Sequence, residues 1–307
     1  MIKVTILGAS SAKPSAESHP SSQIVNVDEQ LFLVDAGEGV QQQMFRRGIN
    51  PLKLRGVFIS HLHGDHVFGL FPLLSTMGLY GRVMPLKIFA PAPFGSILEG
   101  FLKYFESHLG YEIQWTEVDT TANAMIYESK SLEVWSIPLR HSLRAAGYLF
   151  REKEAAPNVE KFKIERYGLT VQQIVAAKRG EDVVLEDGTV VPNSELTYIP
   201  RRAASYAYCS DTTFSAKVAA IVQGVDLLYH EATYGTDNKA VAAERGHSTA
   251  AQAAEVARRA EAGRLIIGHF SSRYKNPQVL LDEAVEVFPN TEIAVEGKTY
   301  TIDNRIK

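Results

Sequence analysis

Ser60-His61-Leu62-His63-Gly64-Asp65-His66 is the most informative stretch of the sequence, because it holds three imidazoles and a carboxylate within six residues. It follows the apolar run Gly56–Ser60, which predicts a strand. Side chains alternate along an extended chain, so the first two histidines point to the same side. The glycine then permits a tight turn that brings the aspartate and the third histidine to a second position. Imidazole and carboxylate ligands together suit zinc, with manganese or iron as alternatives.

One loop cannot complete the coordination of two metal ions, so further ligands must come from elsewhere in the chain. Four residues lie where a predicted strand gives way to a loop, which is the usual place for functional side chains. They are His141, Asp211, His230 and His269. Their shared position makes each of them a candidate ligand.

Composition excludes several classes of protein. The chain has 307 residues, with 45% apolar and 22% charged residues, which is ordinary for a globular protein with a sizeable core. Its formal net charge is −3, so a polyanion would have to be met by a local positive site. The single cysteine, Cys209, excludes an internal disulfide. With no membrane-length apolar run and no secretory signal, we expect a cytoplasmic protein that does not enter membranes.

The order of the elements predicts two sheets covered by helices. Hairpins occur early and late in the chain, and strands alternate with helices in the middle, which does not favour a single parallel sheet. Helices are predicted at about Val40–Arg47, Phe68–Tyr80, Pro93–Phe105, Ala216–Gln223, Thr249–Ala262 and Pro277–Phe288. The helix that starts at Thr249 has a capping box, Thr249-Ala-Ala-Gln252.

Residues from Glu152 to about Arg202 interrupt the strand pattern with a more highly charged segment. We interpret it as an inserted arm with a helix at Thr170–Lys178 and a hairpin whose two-residue turn is Asp187-Gly188. Between positions 161 and 179 the arm has one acidic residue, Glu165. The same stretch has five basic residues, which are Lys161, Lys163, Arg166, Lys178 and Arg179. Such a cluster is also typical of an ordinary solvated surface.

The His-rich stretch, with the later His141, Asp211 and His269, resembles the metallo-β-lactamase fold superfamily. More narrowly, the chain resembles the bacterial short form of ribonuclease Z, the tRNA 3′-processing endonuclease family. The narrower resemblance rests on the inserted arm and on motifs in family order: Leu33-Val-Asp35-Ala-Gly37-Glu38-Gly, His230-Glu231-Ala232-Thr233, His247-Ser248-Thr249-Ala-x-Gln252-Ala253 and Ile267-Gly-His269-Phe-Ser271-Ser-Arg273-Tyr274.

The resemblance implies an α/β fold of αββα type, with two sheets face to face between outer helices and the metals at one edge. It implies one metallo-β-lactamase-like domain over residues 1–307, with the inserted arm at about 152–202. It also implies seven ligands for two zinc ions per chain: His61, His63 and His141 on one ion, Asp65, His66 and His269 on the other, and Asp211 between them. A pair of divalent ions suits phosphodiester hydrolysis.

Under the same resemblance, Asp65 would ligate a metal and accept the proton of the attacking water. His247 would be the general acid toward the departing 3′-oxygen, and Glu231 would orient it or keep it protonated. The five basic arm residues would contact phosphates of precursor tRNA, giving salt-dependent and sequence-independent affinity. The arm would often act across a homodimer.

Two stretches depart from the family pattern. The family often has Pro-x-Lys-x-Arg-Asn after the first strand, where this chain has Ala12-Lys13-Pro14-Ser15-Ala16-Glu17-Ser18-His19-Pro20. This difference leaves the cleavage position and the tolerance of a CCA end open. The usual Gly-Pro of the arm is Gly168-Leu169 here.

Two alternative functions stay open on the sequence. One is a dinuclear zinc hydrolase of a small phosphodiester or another small substrate, against which the arm argues. The other is a non-catalytic RNA-binding protein with a structural metal cluster. Closed structural zinc sites usually favour cysteine-rich sets of four ligands, whereas the ligands here are nitrogen and oxygen atoms.

Overall fold

In the computed structural model, which describes residues 1–13, 15, 18–105 and 109–304, two seven-stranded sheets face each other. The first sheet has the order β18-β1-β2-β3-β4-β5-β6. Its strands are β1 (Ile2–Gly8), β2 (Ser22–Val27), β3 (Gln30–Ala36), β4 (Leu54–Phe58), β5 (Leu86–Ala90), β6 (Ile113–Glu117) and β18 (Thr299–Ile302). Strands β3 to β6 pair in parallel, so their carboxyl ends meet at one edge.

The second sheet has the order β17-β16-β15-β14-β9-β8-β7. Its strands are β7 (Met125–Glu128), β8 (Leu132–Pro138), β9 (Ala146–Glu152), β14 (Ser205–Cys209), β15 (Leu227–Glu231), β16 (Leu265–Gly268) and β17 (Thr291–Ile293). Strands β14 to β17 pair in parallel. This sheet therefore also has an edge at which several strands end, and candidate site residues follow them there.

Helices cover the outer face of each sheet. Helices α1 (Val40–Arg46), α3 (Leu70–Leu79) and α4 (Phe94–Phe105) place buried apolar side chains on the first sheet. Helices α8 (Ala216–Ile221), α10 (Ala250–Arg259) and α11 (Gln278–Val287) do the same on the second sheet. Two shorter helices are α2 (Gly64–Val67) and α9 (Lys239–Glu244).

A core rich in aromatic rings fills the space between the two sheets. Phe58 stacks on Phe89 with ring centroids 4.6 Å apart, and it also contacts Tyr148 and Phe150 of the opposite sheet. Each fully buried ring of this kind contributes about 1.5–3 kcal/mol relative to an exposed one. The predicted αββα arrangement is thus confirmed.

The segment between β9 and β14 forms short elements around a small apolar cluster of its own. Its elements are β10 (Asn158–Val159), α5 (Lys161–Tyr167), α6 (Val171–Lys178), β11 (Val183–Val184), β12 (Val190–Val191), α7 (Asn193–Leu196) and β13 (Thr197–Tyr198). The buried side chains of the cluster are Leu169, Ala177, Val183, Val191 and Leu196. Leu169, where the family usually has proline, is therefore a packing residue. That this segment is a separate functional arm stays a prediction.

The hairpin in this segment differs from the prediction. The Leu185 amide donates to the Thr189 carbonyl, so the loop has three residues and not the predicted two. The Gly188 amide closes a turn onto the Leu185 carbonyl, and Gly188 has a φ of 86°. A three-residue hairpin loop commonly ends with glycine in this left-handed conformation.

The start of α10 follows the prediction, because Thr249 and Gln252 form both hydrogen bonds of the capping box, whereas the helix ends at Arg259, three residues before the predicted Ala262. The predicted helix from Phe68 was wrong at its start, because the structure has the separate helix α2 and begins α3 at Leu70. The second sheet also contains β7, which the sequence patterns did not reveal. Its side chains are half-buried or exposed, so it lacks a strong apolar run.

Candidate metal centre

The His-rich stretch leaves the end of β4 at the edge of the first sheet and is held there by two hydrogen bonds of the Ser60 backbone. The Ser60 amide donates to Asp35 Oδ1 over 2.7 Å, and the Ser60 carbonyl accepts from the Ala146 amide over 2.9 Å. His63 then precedes α2, which carries Asp65 and His66. The loop thus joins both sheets and presents its donors between them.

Four donor atoms form a first group around one point. His63 Nδ1 lies 3.0 Å from His61 Nε2 and 3.2 Å from His141 Nε2. Asp211 Oδ2 lies 3.5 Å from His61 Nε2 and 3.8 Å from His141 Nε2. Ligands held at about 2.0–2.2 Å around one tetrahedral ion are about 3.3–3.6 Å apart, so the spacing of about 3.0–3.8 Å fits one cation.

A second group of donors lies beside the first. Asp65 Oδ2 is 3.5 Å from both His66 Nε2 and His269 Nε2. The other oxygen of Asp211, Oδ1, is 3.3 Å from His269 Nε2 and 3.6 Å from His66 Nε2. Asp211 therefore faces the first group with one oxygen and the second group with the other.

Two donor atoms of the second group lack the hydrogen bonds that buried nitrogens normally make. The Nε2 atoms of His66 and His269 are buried and have no hydrogen-bond partner among the residues described. Leaving a buried polar atom unsatisfied is costly, and a cation between these nitrogens and the carboxylates would remove that cost. The residues present therefore fit a pair of divalent cations.

Asp35 orients one ligand of each group from behind. His66 Nδ1 donates to Asp35 Oδ2 over 2.7 Å, which leaves the Nε2 lone pair directed at the site. His61 Nδ1 donates to Ser60 Oγ over 3.0 Å, and Ser60 Oγ donates to the same carboxylate over 2.8 Å. The Tyr208 hydroxyl adds a further donor at 2.7 Å. This fully buried carboxylate thus fixes the ring orientation of two ligands from different groups.

Glu231 plays a similar part on the other side of the centre. It is fully buried and accepts hydrogen bonds from the amides of Thr212, Thr233 and Ser248 over 2.9–3.1 Å. The Thr233 hydroxyl donates to it over 2.7 Å and accepts from His269 Nδ1 over 2.8 Å. Burying a carboxylate costs several kcal/mol, which these hydrogen bonds offset.

Glu231 also binds His247, whose Nδ1 lies 3.0 Å from Glu231 Oε1 and 4.0 Å from Asp211 Oδ2. The His247 ring stacks on that of His269 with centroids 5.5 Å apart and lies 5.0 Å from that of His141. His247 therefore borders both donor groups. One of its nitrogens lies close enough to Asp211 and His269 to form a third set of possible donors.

Burial and charge set the protonation of these groups. Burial lowers the pKa of His61, His63 and His141, which favours the neutral imidazoles that bind metals. Burial opposes the charged form of His66, but Asp211 and Asp35 outweigh it and raise the pKa of His66 to about 10. A cation that binds His66 must therefore displace a proton.

The same balance applies to Glu231 and His247, which lie beside the predicted metal ligands. Burial by itself would lower the pKa of His247, but the Glu231 carboxylate and then Asp211 raise it to about 8. Burial by itself would raise the pKa of Glu231, and His247 instead holds that pKa below its usual value. Both shifts favour the form in which the His247 imidazolium pairs with the Glu231 carboxylate.

Two family models match parts of the chain: "Anti-Pycsar protein Apyc1" over residues 2–155 and "Beta-lactamase superfamily domain" over residues 160–270. A curated protein of Bacteroides thetaiotaomicron named Ribonuclease Z is 42% identical over 299 residues, which cover 97% of this chain and 95% of its own. A Ribonuclease Z of Porphyromonas gingivalis is 44% identical over 293 residues, covering 95% of this chain and 96% of its own. The chain belongs to the ribonuclease Z family.

The same fold occurs in solved structures of proteins that are less similar in sequence. The short form of human tRNase Z has a TM-score of 0.68 at 22% identity and covers 98% of this chain and 99% of its own. A diphosphatase of the PhnP family has a TM-score of 0.64 at 16% identity, with full coverage of both chains. At these identities the likeness shows the fold alone.

The structure brings together all seven ligands predicted from the ribonuclease Z resemblance, with Glu231 and His247 beside them. His230 is separate: its Nδ1 donates to the Glu231 backbone carbonyl over 2.7 Å. The basic arm residues lie outside the centre.

Four residues named by the sequence reasoning lie outside the described residues: Pro14, Ala16, Glu17 and His108. No helix in the described part of the chain is long and apolar enough to cross a lipid bilayer.

Sequence reasoning did not identify three groups that shape this ribonuclease Z centre. Asp35 and Thr233 were quoted only within motifs, although Asp35 ends a strand as the ligands do. The Ala12 amide, in the loop that departs from the family pattern, donates to Asp65 Oδ2 over 2.8 Å. A backbone donor carries no side-chain signal, so no residue pattern would have revealed it.

Proposed function

We propose that this protein is a metal-dependent endoribonuclease that removes the 3′ trailer from precursor tRNA, leaving a 3′-hydroxyl on the tRNA and a 5′-phosphate on the trailer. The observation that carries the proposal is the paired donor groups that share Asp211, in a chain that is 41–44% identical over nearly its full length to proteins named Ribonuclease Z.

The site is proposed to hold two zinc ions per chain, with manganese or iron as alternatives. One ion would be held by His61, His63 and His141. The other would be held by Asp65, His66 and His269, and Asp211 would be a ligand of both ions. When bound, such cations polarise the phosphate oxygens and lower the pKa of the attacking water. The nitrogen and carboxylate donors and the orphaned Nε2 atoms support this assignment.

Asp65 is proposed to ligate a cation and to accept the proton of the attacking water. Burial opposes the charged form of Asp65, but its ion pairs with His269 and His66 at 3.5 Å outweigh burial and hold the pKa of Asp65 well below its usual value, so it is ionised. The Ala12 amide donates to Asp65 Oδ2 over 2.8 Å and fixes the carboxylate. An ionised and immobilised carboxylate is suited to proton transfer at a defined position.

His247 is proposed to donate a proton to the departing 3′-oxygen. Its contact with Glu231 keeps it protonated at neutral pH, and it borders both donor groups. Glu231 touches no reacting atom in this scheme, and it acts by holding and charging His247. A positioned general acid of this kind typically contributes about 10²–10⁴-fold to the rate.

The arm is proposed to dock the tRNA through its basic residues. Lys161, Arg166, Lys178 and Arg179 are exposed, as phosphate contacts require. Lys163 already binds the Glu160 carboxylate over 2.7 Å, so it would contribute less. Arg201 binds both oxygens of Asp28 over 2.7–2.8 Å and would instead hold the base of the arm on the body.

We further propose a cytoplasmic homodimer. Exposed apolar side chains cluster near the ends of α1 and α3, where Phe45 and Tyr80 pack edge to face beside Leu79, Val83 and Met84. Exposed apolar patches commonly mark protein interfaces. Sedimentation equilibrium on the purified protein tests the dimer, and a monomer at micromolar concentration would contradict it.

The decisive experiment incubates the zinc-loaded protein with end-labelled precursor tRNA and maps the cut. We expect cleavage at the 3′ end of the tRNA and no cleavage by Asp65→Ala, since this change removes a ligand and the proton acceptor. Asp282→Ala is the matched control, because Asp282 is an exposed carboxylate on the outer helix α11, where it accepts a hydrogen bond from Gln278.

Each alternative function has its own outcome in this experiment. Turnover of a small phosphodiester without tRNA cleavage would favour the small-substrate hydrolase. One metal per chain with no turnover would favour the non-catalytic RNA-binding protein. Full activity of Asp65→Ala would contradict the catalytic assignment.

A further inference from the structure

An exposed aromatic ring lies on the metal-ligand loop itself. Phe68 follows His66 by two residues, ends helix α2 and is 65% exposed. Its neighbours Val67 and Leu70 are buried, so the loop is well packed around it. An exposed ring beside the donor groups is accessible to a bound ligand, and a ligand that covered it would gain apolar burial.

The Phe68 ring packs closely on Gly64, which lies between His63 and Asp65. A Cβ atom on Gly64 would lie 2.3 Å from Phe68 Cε2 and 2.7 Å from Cδ2 and Cζ. The ring therefore rests on the backbone of the loop that carries four of the seven candidate ligands. The Phe68 amide also donates to the Gly64 carbonyl over 2.9 Å, which ties the two residues together.

This arrangement has a chemical consequence for the substrate. A phosphodiester bound between the two donor groups must bring its flanking nucleotides past the ligand loop. Unpaired bases commonly stack on aromatic side chains of RNA-binding proteins, since every base offers a π-face. We propose that Phe68 stacks on the base of a nucleotide that flanks the scissile phosphate and so positions that phosphate at the centre. The inference rests on the proposed function.

The test combines a change in the protein with a change in the RNA. Phe68→Ala, Phe68→Leu and Phe68→Trp are assayed in the full-length, zinc-loaded protein on precursor tRNA. Two further substrates carry an abasic nucleotide on the 5′ or the 3′ side of the scissile phosphate. Tyr104→Ala is the matched control, because Tyr104 is a 70% exposed ring on the outer helix α4.

We expect Phe68→Ala to lower kcat/KM about tenfold on the normal substrate, mainly through KM, and Phe68→Trp to retain activity. For the wild type, the abasic change at one of the two positions should lower kcat/KM by a similar factor. The two changes together should then cost no more than either alone, because both remove the same contact. Phe68→Leu should resemble alanine, since it keeps apolar volume but loses the ring face.

Two outcomes separate the inference from the function on which it rests. The stacking role alone would be overturned if the wild type cleaves normal precursor tRNA and Phe68→Ala cleaves it equally well. It would also be overturned if Phe68→Ala and the abasic change lower kcat/KM by independent factors that multiply at both positions. Absence of cleavage of normal precursor tRNA by the wild type would overturn the proposed function and this inference with it. Zinc content and Tm of each variant show that the centre is intact.

Discussion

At the residue scale, the candidate centre depends on side chains behind the ligands as much as on the ligands. Asp35 and Glu231 are both fully buried carboxylates that accept several hydrogen bonds at the ends of strands. Asp35 orients His66 and, through Ser60, His61. Glu231 holds His247 and, through Thr233, His269. Each carboxylate therefore orients two candidate rings at once.

We expect Asp35→Asn to weaken zinc binding by about 10–100-fold, because the amide removes the charge that orients His66. The change should not strain the backbone, since Asp35 has a φ of 54° and asparagine tolerates this region well. Competitive zinc titration measures the effect. Asp28→Asn is the matched control, because Asp28 also has positive φ but binds Arg201 far along the chain. Equal losses in both variants would contradict the role of Asp35.

We expect Glu231→Gln to move the alkaline limb of the pH–rate profile to lower pH. The Glu231 carboxylate stabilises the His247 imidazolium and raises its pKa to about 8, so the acid is present below that pH and is lost above it. Removing the charge lowers the pKa, and the loss of activity then begins at lower pH. Single-turnover rates from pH 6 to 10 measure the shift. An unchanged limb with normal zinc content would contradict the assignment of His247 as the acid.

At the element scale, short segments carry the functions while the sheets fix their positions. Candidate ligands follow strands β4, β8, β14 and β16, and the carboxylates that orient them lie at the ends of β3 and β15, so six strand ends meet at the centre. The capping box of α10 begins two residues after His247 and anchors that loop. The segment between β9 and β14 has its own apolar cluster and contributes no residue to the centre.

Replacing residues 155–199 by a short Gly-Ser linker should spare hydrolysis of a small phosphodiester and reduce precursor tRNA cleavage at least about tenfold, because phosphate contacts are lost. Glu152 and Arg201 are kept, since Glu152 accepts from the Ala204 amide and Arg201 binds Asp28. The double variant Lys178→Ala, Arg179→Ala should make the plot of log affinity against log salt concentration less steep by about two, because two phosphate contacts are lost. Equal losses on both substrates would argue against a separate docking role.

At the scale of the whole molecule, the centre joins the two sheets. The His-rich loop leaves the first sheet, whereas His141, Asp211 and His269 follow strands of the second. Bound cations would therefore act as a link across the sandwich. Without them, buried histidines and carboxylates of the two sheets face one another with unsatisfied nitrogens.

Removal of metal by a chelator should therefore abolish cleavage and lower Tm by roughly 4–8 °C, with recovery on adding zinc. The size follows from about 2.7 kcal/mol of stabilisation per bound ion at a ligand concentration 100 times Kd, and from an unfolding entropy of about 2.1 cal/mol/K per residue over the 307 residues. Differential scanning calorimetry measures the shift. Asp35→Asn should show a smaller shift at the same zinc concentration. A chelator-insensitive Tm would argue that the two sheets are not linked through this centre.

The features that the sequence by itself determined are local ones. The His-rich loop, the strand ends and the capping box of α10 each depend on residues within a few positions of one another, so their pattern is visible along the chain. Contacts such as Asp35 with His66, Glu231 with His247 and the Ala12 amide with Asp65 were decided only by the tertiary structure. These partners are 16 to 53 residues apart in the chain, and strand order, not spacing, brings them together.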